Sequence, residues 1–171
     1  MSSIGRKPGP PSPERIKVII EIPKDSRNKY EIDDETGAIW LDRTLFTATR
    51  YPANYGYIPN SLAGDGDPMD VLVVMDEPVF PGCHIWARPI GVLEMRDEAG
   101  PDAKIIAVPF GDPRTASMQD LDDLPLLLRQ EIHHFFEVYK ALEPGKSTES
   151  SAWADRARAY ELIIEARLAT H

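Results

Sequence analysis

The segment Gly64-Asp65-Gly66-Asp67-Pro68-Met69-Asp70 places Asp65, Asp67 and Asp70 in a tight loop that runs directly into the apolar stretch Val71 to Met75. Carboxylates crowded in this way repel one another unless they are protonated, solvated or share a cation, and hard oxygen donors favour Mg2+, Mn2+ or Ca2+. Asp and Gly are also good turn residues, so a solvated acidic turn explains the same string. Two familiar motifs fail here. An EF-hand needs Gly at the sixth loop position and Glu at the twelfth, where this chain has Asp70 and Asp76. An aspartyl-phosphate phosphatase carries its Asp-x-Asp at the end of an apolar strand, whereas here the strand follows the motif.

A second acidic cluster, Asp97, Glu98 and Asp102, flanks a turn and is followed at once by Lys104. Spacing alone leaves two readings open: the clusters meet at one site for several metal ions, or each is a separate surface turn. Lys29, Arg43, Tyr51, Tyr55, Lys104, Tyr139 and Lys140 are singly ordinary surface or packing residues. Together they have the chemistry to grip a phosphate, since Arg offers a planar fork, Lys a point charge and Tyr a neutral donor. His84, His133, His134 and His171 have no metal-binding spacing and read as packing or contact residues. With no serine elbow, Gly-rich nucleotide loop or cysteine nucleophile pattern, metal-activated water is the favoured nucleophile.

The elements that would position these groups are short strands followed by helices. Lys17 to Ile22 is β-branched and stops at Pro23, as a strand does. Lys29 to Ile32 and Ala38 to Leu41 read as hairpin arms joined by Asp33 to Gly37, with Gly37 at positive φ. Val71 to Met75, Ile85 to Arg88, Ile90 to Met95 and Lys104 to Val108 read as strands of a small β-barrel, with Pro89 among the separators. Helical periodicity links Leu124, Leu127, Leu128, Ile132, Phe135, Phe136, Tyr139 and Leu142, with Pro125 in the first turn. A second helix is expected after Ser150 or Ser151, capped by a serine and carrying Trp153, Tyr160, Ile163, Ile164 and Leu168 near its buried side. Residues 1–15, with Pro8, Pro10, Pro11 and Pro13, read as a flexible tail, and 16–171 as one domain.

The 171 residues carry a formal charge of -9, which disfavours nucleic acid as a partner but leaves a small anion bound through cations open. Cys83 is the single cysteine, so no intrachain disulfide forms and a reducing compartment fits. No signal-peptide core is visible, and no apolar run approaches the roughly 20 residues of a membrane span. A catalytically silent OB-type module for oligonucleotide or divalent cation is the alternative of a different class, against which the acids stand where a strand would bind.

Taken in order, several strings resemble those of a soluble family I inorganic pyrophosphatase of the bacterial type, from about Val18 to Trp153. They are Glu21-Ile22-Pro23, Lys29-Tyr30-Glu31, Leu41-Asp42-Arg43, Tyr51-Pro52-Ala53-Asn54-Tyr55-Gly56-Tyr57, Asp65 to Asp70, Asp97-Glu98, Asp102-Ala103-Lys104 and His134 to Lys140. The resemblance implies an α+β, mainly β fold: a small five-stranded OB-like β-barrel with two flanking C-terminal helices. It implies hydrolysis of pyrophosphate with about three or four Mg2+ ions per site, Mn2+ or Zn2+ as substitutes and Ca2+ as an inhibitor. By matched position Asp65, Asp70 and Asp102 hold the tightest metal, Asp70 also faces a second, Asp97 and Asp102 reach a third, and Glu21 and Glu31 lie in the outer shell. Asp67 accepts the water's proton, while Lys29, Arg43, Tyr55, Lys104, Tyr139 and Lys140 hold the phosphates with Tyr51 nearby. No covalent intermediate is needed. A cytoplasmic homohexamer, built as a dimer of trimers, also follows from the resemblance. The chain departs from the pattern at its proline-rich start and at Ser147-Thr148-Glu149-Ser150.

Overall fold

The structure, a computed structural model, describes residues 12–170. Its strands are β1 (Ile16–Ile22), β2 (Asn28–Ile32), β3 (Ile39–Thr44), β4 (Asn54–Tyr57), β5 (Asp70–Val73), β6 (His84–Asp97) and β7 (Gly100–Pro109). Two short 3-10 turns, Pro113–Thr115 and Leu121–Asp123, lead to helix α1 (Leu126–Val138), strand β8 (Thr148–Asp155) and helix α2 (Arg156–Leu168).

The main sheet runs β1-β4-β5-β7-β6-β8 and closes on itself because β1 also pairs with β6. The ring is therefore β1, β4, β5, β7 and β6, the expected five-stranded barrel, with β8 laid along the outer half of β6. Closure depends on the length of β6: Ala87 to His84 pair with Ile16 to Ile19 of β1, whereas Gly91 to Asp97 pair with β8. Pro89 sits in the gap between those two partners, next to a register shift between Pro89 and Gly91 against β7. A missing backbone donor is tolerated at such a place. The two strands expected on either side of Pro89 are consequently one.

Alternation along the strands divides the apolar residues between two clusters. One joins Ile22, Tyr55, Leu72, Leu93 and Ile106 to Ile132, Phe135 and Phe136 of α1. The other joins Val18, Ile20, Val71, Val92 and Ile105 to Ala159, Ile163 and Ala166 of α2. Gly56 allows β1 and β4 to approach, because a Cβ there would lie 2.0 Å from the Ile19 carbonyl oxygen.

The hairpin β2–β3 stands apart as a two-stranded sheet, with Gly37 in its turn at φ 73° as anticipated. The end of the chain differs from expectation. Thr148 to Asp155 pair with β6, so Trp153 belongs to a strand, and α2 begins at Arg156 with Asp155 accepting from the Arg158 N–H as its cap. Ile164 and Leu168 are exposed on α2, and Leu127 and Leu142 are exposed near α1, so the apolar stripes are narrower than their periodicity suggested. Of the expected tail, residues 1–11 lie outside the described residues. Ser12 bridges to Arg15, whose guanidinium stands 4.5 Å from the Trp86 ring centre and 5.1 Å from that of Phe110.

Candidate active site

A cleft of about 580 Å3 opens where the loop before β5, the β6–β7 turn, the hairpin and the end of α1 meet. Register explains how the two acidic clusters arrive there. Asp70 is the first residue of β5 and lies beside Lys104 in the parallel β5–β7 pair, and Tyr57 of β4 lies beside Asp70 on its other side. Asp102 precedes Lys104 by two on β7 and therefore shares its face. Asp97 opens the β6–β7 turn opposite Gly100. Asp65 accepts the backbone N–H of Asp67 at 3.0 Å, which fixes the loop before β5.

Lys104 is buried at the floor of the cleft. Its Nζ donates to Tyr55 Oη at 2.8 Å, lies 2.8 Å from Asp70 Oδ2 and 2.9 Å from Asp102 Oδ2, and stands over the rings of Tyr55 and Phe136. On one wall Lys140 Nζ reaches Asp97 Oδ2 at 3.2 Å and Glu98 Oε2 at 3.0 Å, and Lys146 reaches Glu98. On the opposite wall the hairpin presents Lys29, bound to Glu31 Oε1 at 2.9 Å and to Asp42 Oδ2 at 3.1 Å, and Arg43, bound to Asp42 and to Glu143 Oε1. Glu21 at the end of β1 accepts the Ile32 N–H at 2.9 Å and so ties the hairpin to the barrel.

Of the residues singled out in the sequence, Glu21, Lys29, Glu31, Arg43, Tyr55, Asp65, Asp67, Asp70, Asp97, Asp102, Lys104, Tyr139 and Lys140 all line this cleft. Tyr51 does not. It lies beneath the site, packed on Tyr55 and on Phe135 at ring separations of 5.4 and 4.6 Å, and supports the floor. Asp42 and Glu143 were not singled out, although each braces a cation of the cleft. Asp42 lies inside the string Leu41-Asp42-Arg43, but nothing in its immediate sequence marks Glu143.

The sequence profile of the inorganic pyrophosphatase family matches residues 18–170. The inorganic pyrophosphatase of Leifsonia xyli is 59% identical over 152 residues, 89% of this chain and 93% of its own length. The chain belongs to the inorganic pyrophosphatase family. The Streptomyces coelicolor pyrophosphatase is 57% identical over 83% of this chain and 87% of its own length. The crystal structure of the Thermus thermophilus pyrophosphatase superposes with a TM-score of 0.91 at 44% identity, covering 99% of both chains.

Burial and crowding of the acids set the electrostatics of this pyrophosphatase cleft. Burial, reinforced by Asp70 and Glu31, raises the Glu21 carboxyl to about 7, despite the Ile32 hydrogen bond and Lys29. Burial likewise raises Asp65 to about 6, with Asp102, Asp70 and Asp67 adding to the effect. Asp102 is also raised, chiefly by burial. Burial alone would lower the Lys104 ammonium, but Asp70, Tyr55 and Asp102 hold it well above its ordinary range. At the floor of the cleft, among the described residues, Lys104 alone thus balances Asp70 and Asp102. Among the described residues no three acidic or imidazole side chains already converge as a finished coordination shell. The donor set, all carboxylate oxygen and short of positive charge, nevertheless fits hard divalent cations. Among the described residues, no helix is long and apolar enough to cross a membrane.

Proposed function

We infer that this chain is a Mg2+-dependent inorganic pyrophosphatase that hydrolyses pyrophosphate to two phosphates without a covalent intermediate. The observation that carries this reading is the meeting of Asp65, Asp67 and Asp70 with Asp97 and Asp102 in one cleft walled by Lys29, Arg43 and Lys140. Asp65, Asp70 and Asp102 would hold the tightest cation, with Asp70, Asp97, Glu21 and Glu31 serving the others. When bound, divalent cations lower the pKa of water and offset the charge of the phosphates. Asp67, exposed at the rim and free of any basic partner among the described residues, takes the proton of the attacking water. Arg43 and Lys29 grip one phosphate from the hairpin, while Lys140, Tyr139, Tyr55 and Lys104 face it from the barrel and α1. These donors offset the charge that grows on the departing phosphate as the P–O bond breaks.

The cation is Mg2+ in this reading, with Mn2+ or Zn2+ replacing it and Ca2+ inhibiting. The single thiol, Cys83, is consistent with a reducing cytoplasm. Residues 16–171 act as one domain, and six copies assemble as a dimer of trimers. Phosphate release from pyrophosphate, measured with Mg2+ and again with EDTA, tests the activity. Release that requires Mg2+ is expected; a folded protein that releases no phosphate at any Mg2+ concentration refutes it.

A further inference from the structure

The hairpin β2–β3 carries Lys29, Glu31 and Arg43 into the cleft, yet it shares no ladder with the barrel. Something else must hold it at a fixed distance. Near the turn, the Glu21–Ile32 hydrogen bond does so. Near the open end, Glu143 Oε1 meets Arg43 Nη2 at 2.9 Å. The Glu143 side chain is only 6% exposed, and its second oxygen, Oε2, has no hydrogen-bond partner among the described residues. A carboxylate is costly to bury unless its partner is fixed, so the pair is committed to one arrangement.

The backbone around Glu143 is equally constrained. Its N–H donates to the Lys140 carbonyl at 3.0 Å, so the turn that presents Tyr139 and Lys140 also presents Glu143. Asp42, the other carboxylate on Arg43, is shared with Lys29 and lies on the hairpin itself. It can orient Arg43 relative to the hairpin but not relative to the barrel. Among the described residues, only Glu143 joins Arg43 to the wall that carries Lys140.

We propose that Glu143 is a positioning residue of this site, its buried carboxylate holding the Arg43 guanidinium at the separation from Tyr139 and Lys140 at which both walls grip one diphosphate. The proposal rests on the pyrophosphatase reading for the identity of the ligand. It attributes to Glu143 no contact with substrate.

The experiment is a double-mutant cycle on the full chain: Glu143→Met, Glu143→Gln, Arg43→Ala and the doubles. Pyrophosphate hydrolysis and binding of inorganic phosphate, followed by 31P NMR with Mg2+, are read in parallel with circular dichroism. Glu143→Met is expected to lower kcat/KM by about 10- to 100-fold, as a misplaced binding group does. Glu143→Gln, which keeps one acceptor, should lose less. In the Arg43→Ala background the same changes should alter kcat/KM and phosphate affinity by less than about 2-fold, since the group acted upon is gone. Losses that add in full to that of Arg43→Ala overturn the proposal, as does a folded Glu143→Met with native kinetics. If Glu143→Met does not fold, the cycle is completed with Glu143→Gln. A native chain that binds phosphate without hydrolysing pyrophosphate refutes the pyrophosphatase reading, while the phosphate-binding cycle still decides the role of Glu143. A native chain that binds no phosphate refutes both.

Discussion

Lys104 stands where Asp70, Asp102 and the Tyr55 hydroxyl meet, and its Nζ is the positive charge among them. Replacing it with methionine leaves two acids facing each other in a largely closed floor. In EDTA, Lys104→Met is expected to destabilise the fold by about 3–5 kcal/mol, the usual result of removing one partner from a buried ion pair. In excess Mg2+ the loss should shrink, because a cation that binds only the folded state stabilises it. Urea denaturation under both conditions checks this; an equal loss in both would show that no cation takes the place of the ammonium. Asp70→Asn should fold but lose at least about 10³-fold in turnover, roughly 4 kcal/mol, with weaker Mg2+ binding. Asp67→Asn should lose activity with Mg2+ affinity less altered and with the acid limb of the pH profile displaced. A Mg2+ and pH titration of phosphate release separates the two, and near-native behaviour of folded Asp70→Asn would remove this loop from the metal centre. The acids of the loop were legible because they are crowded together. Glu143 was not: its partner is Arg43, and a lone Glu before Pro144-Gly145 reads as any turn acid.

Elements are legible where one side-chain period runs through them, as in β1 and α1, or where a turn marks them, as Asp33 to Gly37 marks the hairpin. In sequence β6 reads as two strands because Pro89 normally ends a ladder, and the change of partner from β1 to β8 makes the proline tolerable. β8 was missed for the opposite reason. Its serines and alanines lack the β-branched run of a strand, and it is held as a strand by the long arm of β6. The start of α2 depends on a residue far away in sequence: Asp120 Oδ1 accepts from the Arg156 N–H at 3.0 Å as well as from the Leu121 N–H at 2.8 Å. Those hydrogen bonds lower the Asp120 carboxyl below its ordinary range. Asp120→Ala should therefore cost about 1–2 kcal/mol near neutral pH. A depressed folded-state pKa gives stability that is present above the unfolded value of about 3.9 and is lost as pH falls through the lower folded value. The gap between wild type and variant in guanidinium denaturation should thus close in acid, and a gap independent of pH would exclude the carboxylate as its source.

At the scale of the whole molecule, Phe80, Leu126, Leu142 and Trp40 are between 63% and 83% exposed in the single chain. Such side chains are the ordinary material of subunit contacts. Light scattering is expected to give about 115 kDa, six times the 19.1 kDa chain, and a stable monomer at working concentration would reject the assembly. Deleting residues 1–13, whose composition offers little to bury, should leave melting temperature and turnover nearly unchanged, whereas Arg15→Ala should cost about 1 kcal/mol through its lost stacking on Trp86 and Phe110. Calorimetry of the two variants distinguishes them.

The ring carries a further consequence, in time rather than energy. Ile16 to Ile19 close it against His84 to Ala87, and β5 joins β7 in parallel across the whole of β6. A chain leaving the ribosome cannot complete this circuit until β7 has emerged. Contacts of such long sequence separation give folding times of milliseconds to seconds rather than microseconds. During that interval the acids from the β5 loop and from β7 have not yet been brought together, so cation binding cannot assist the early steps and can only trap the ring once it has shut.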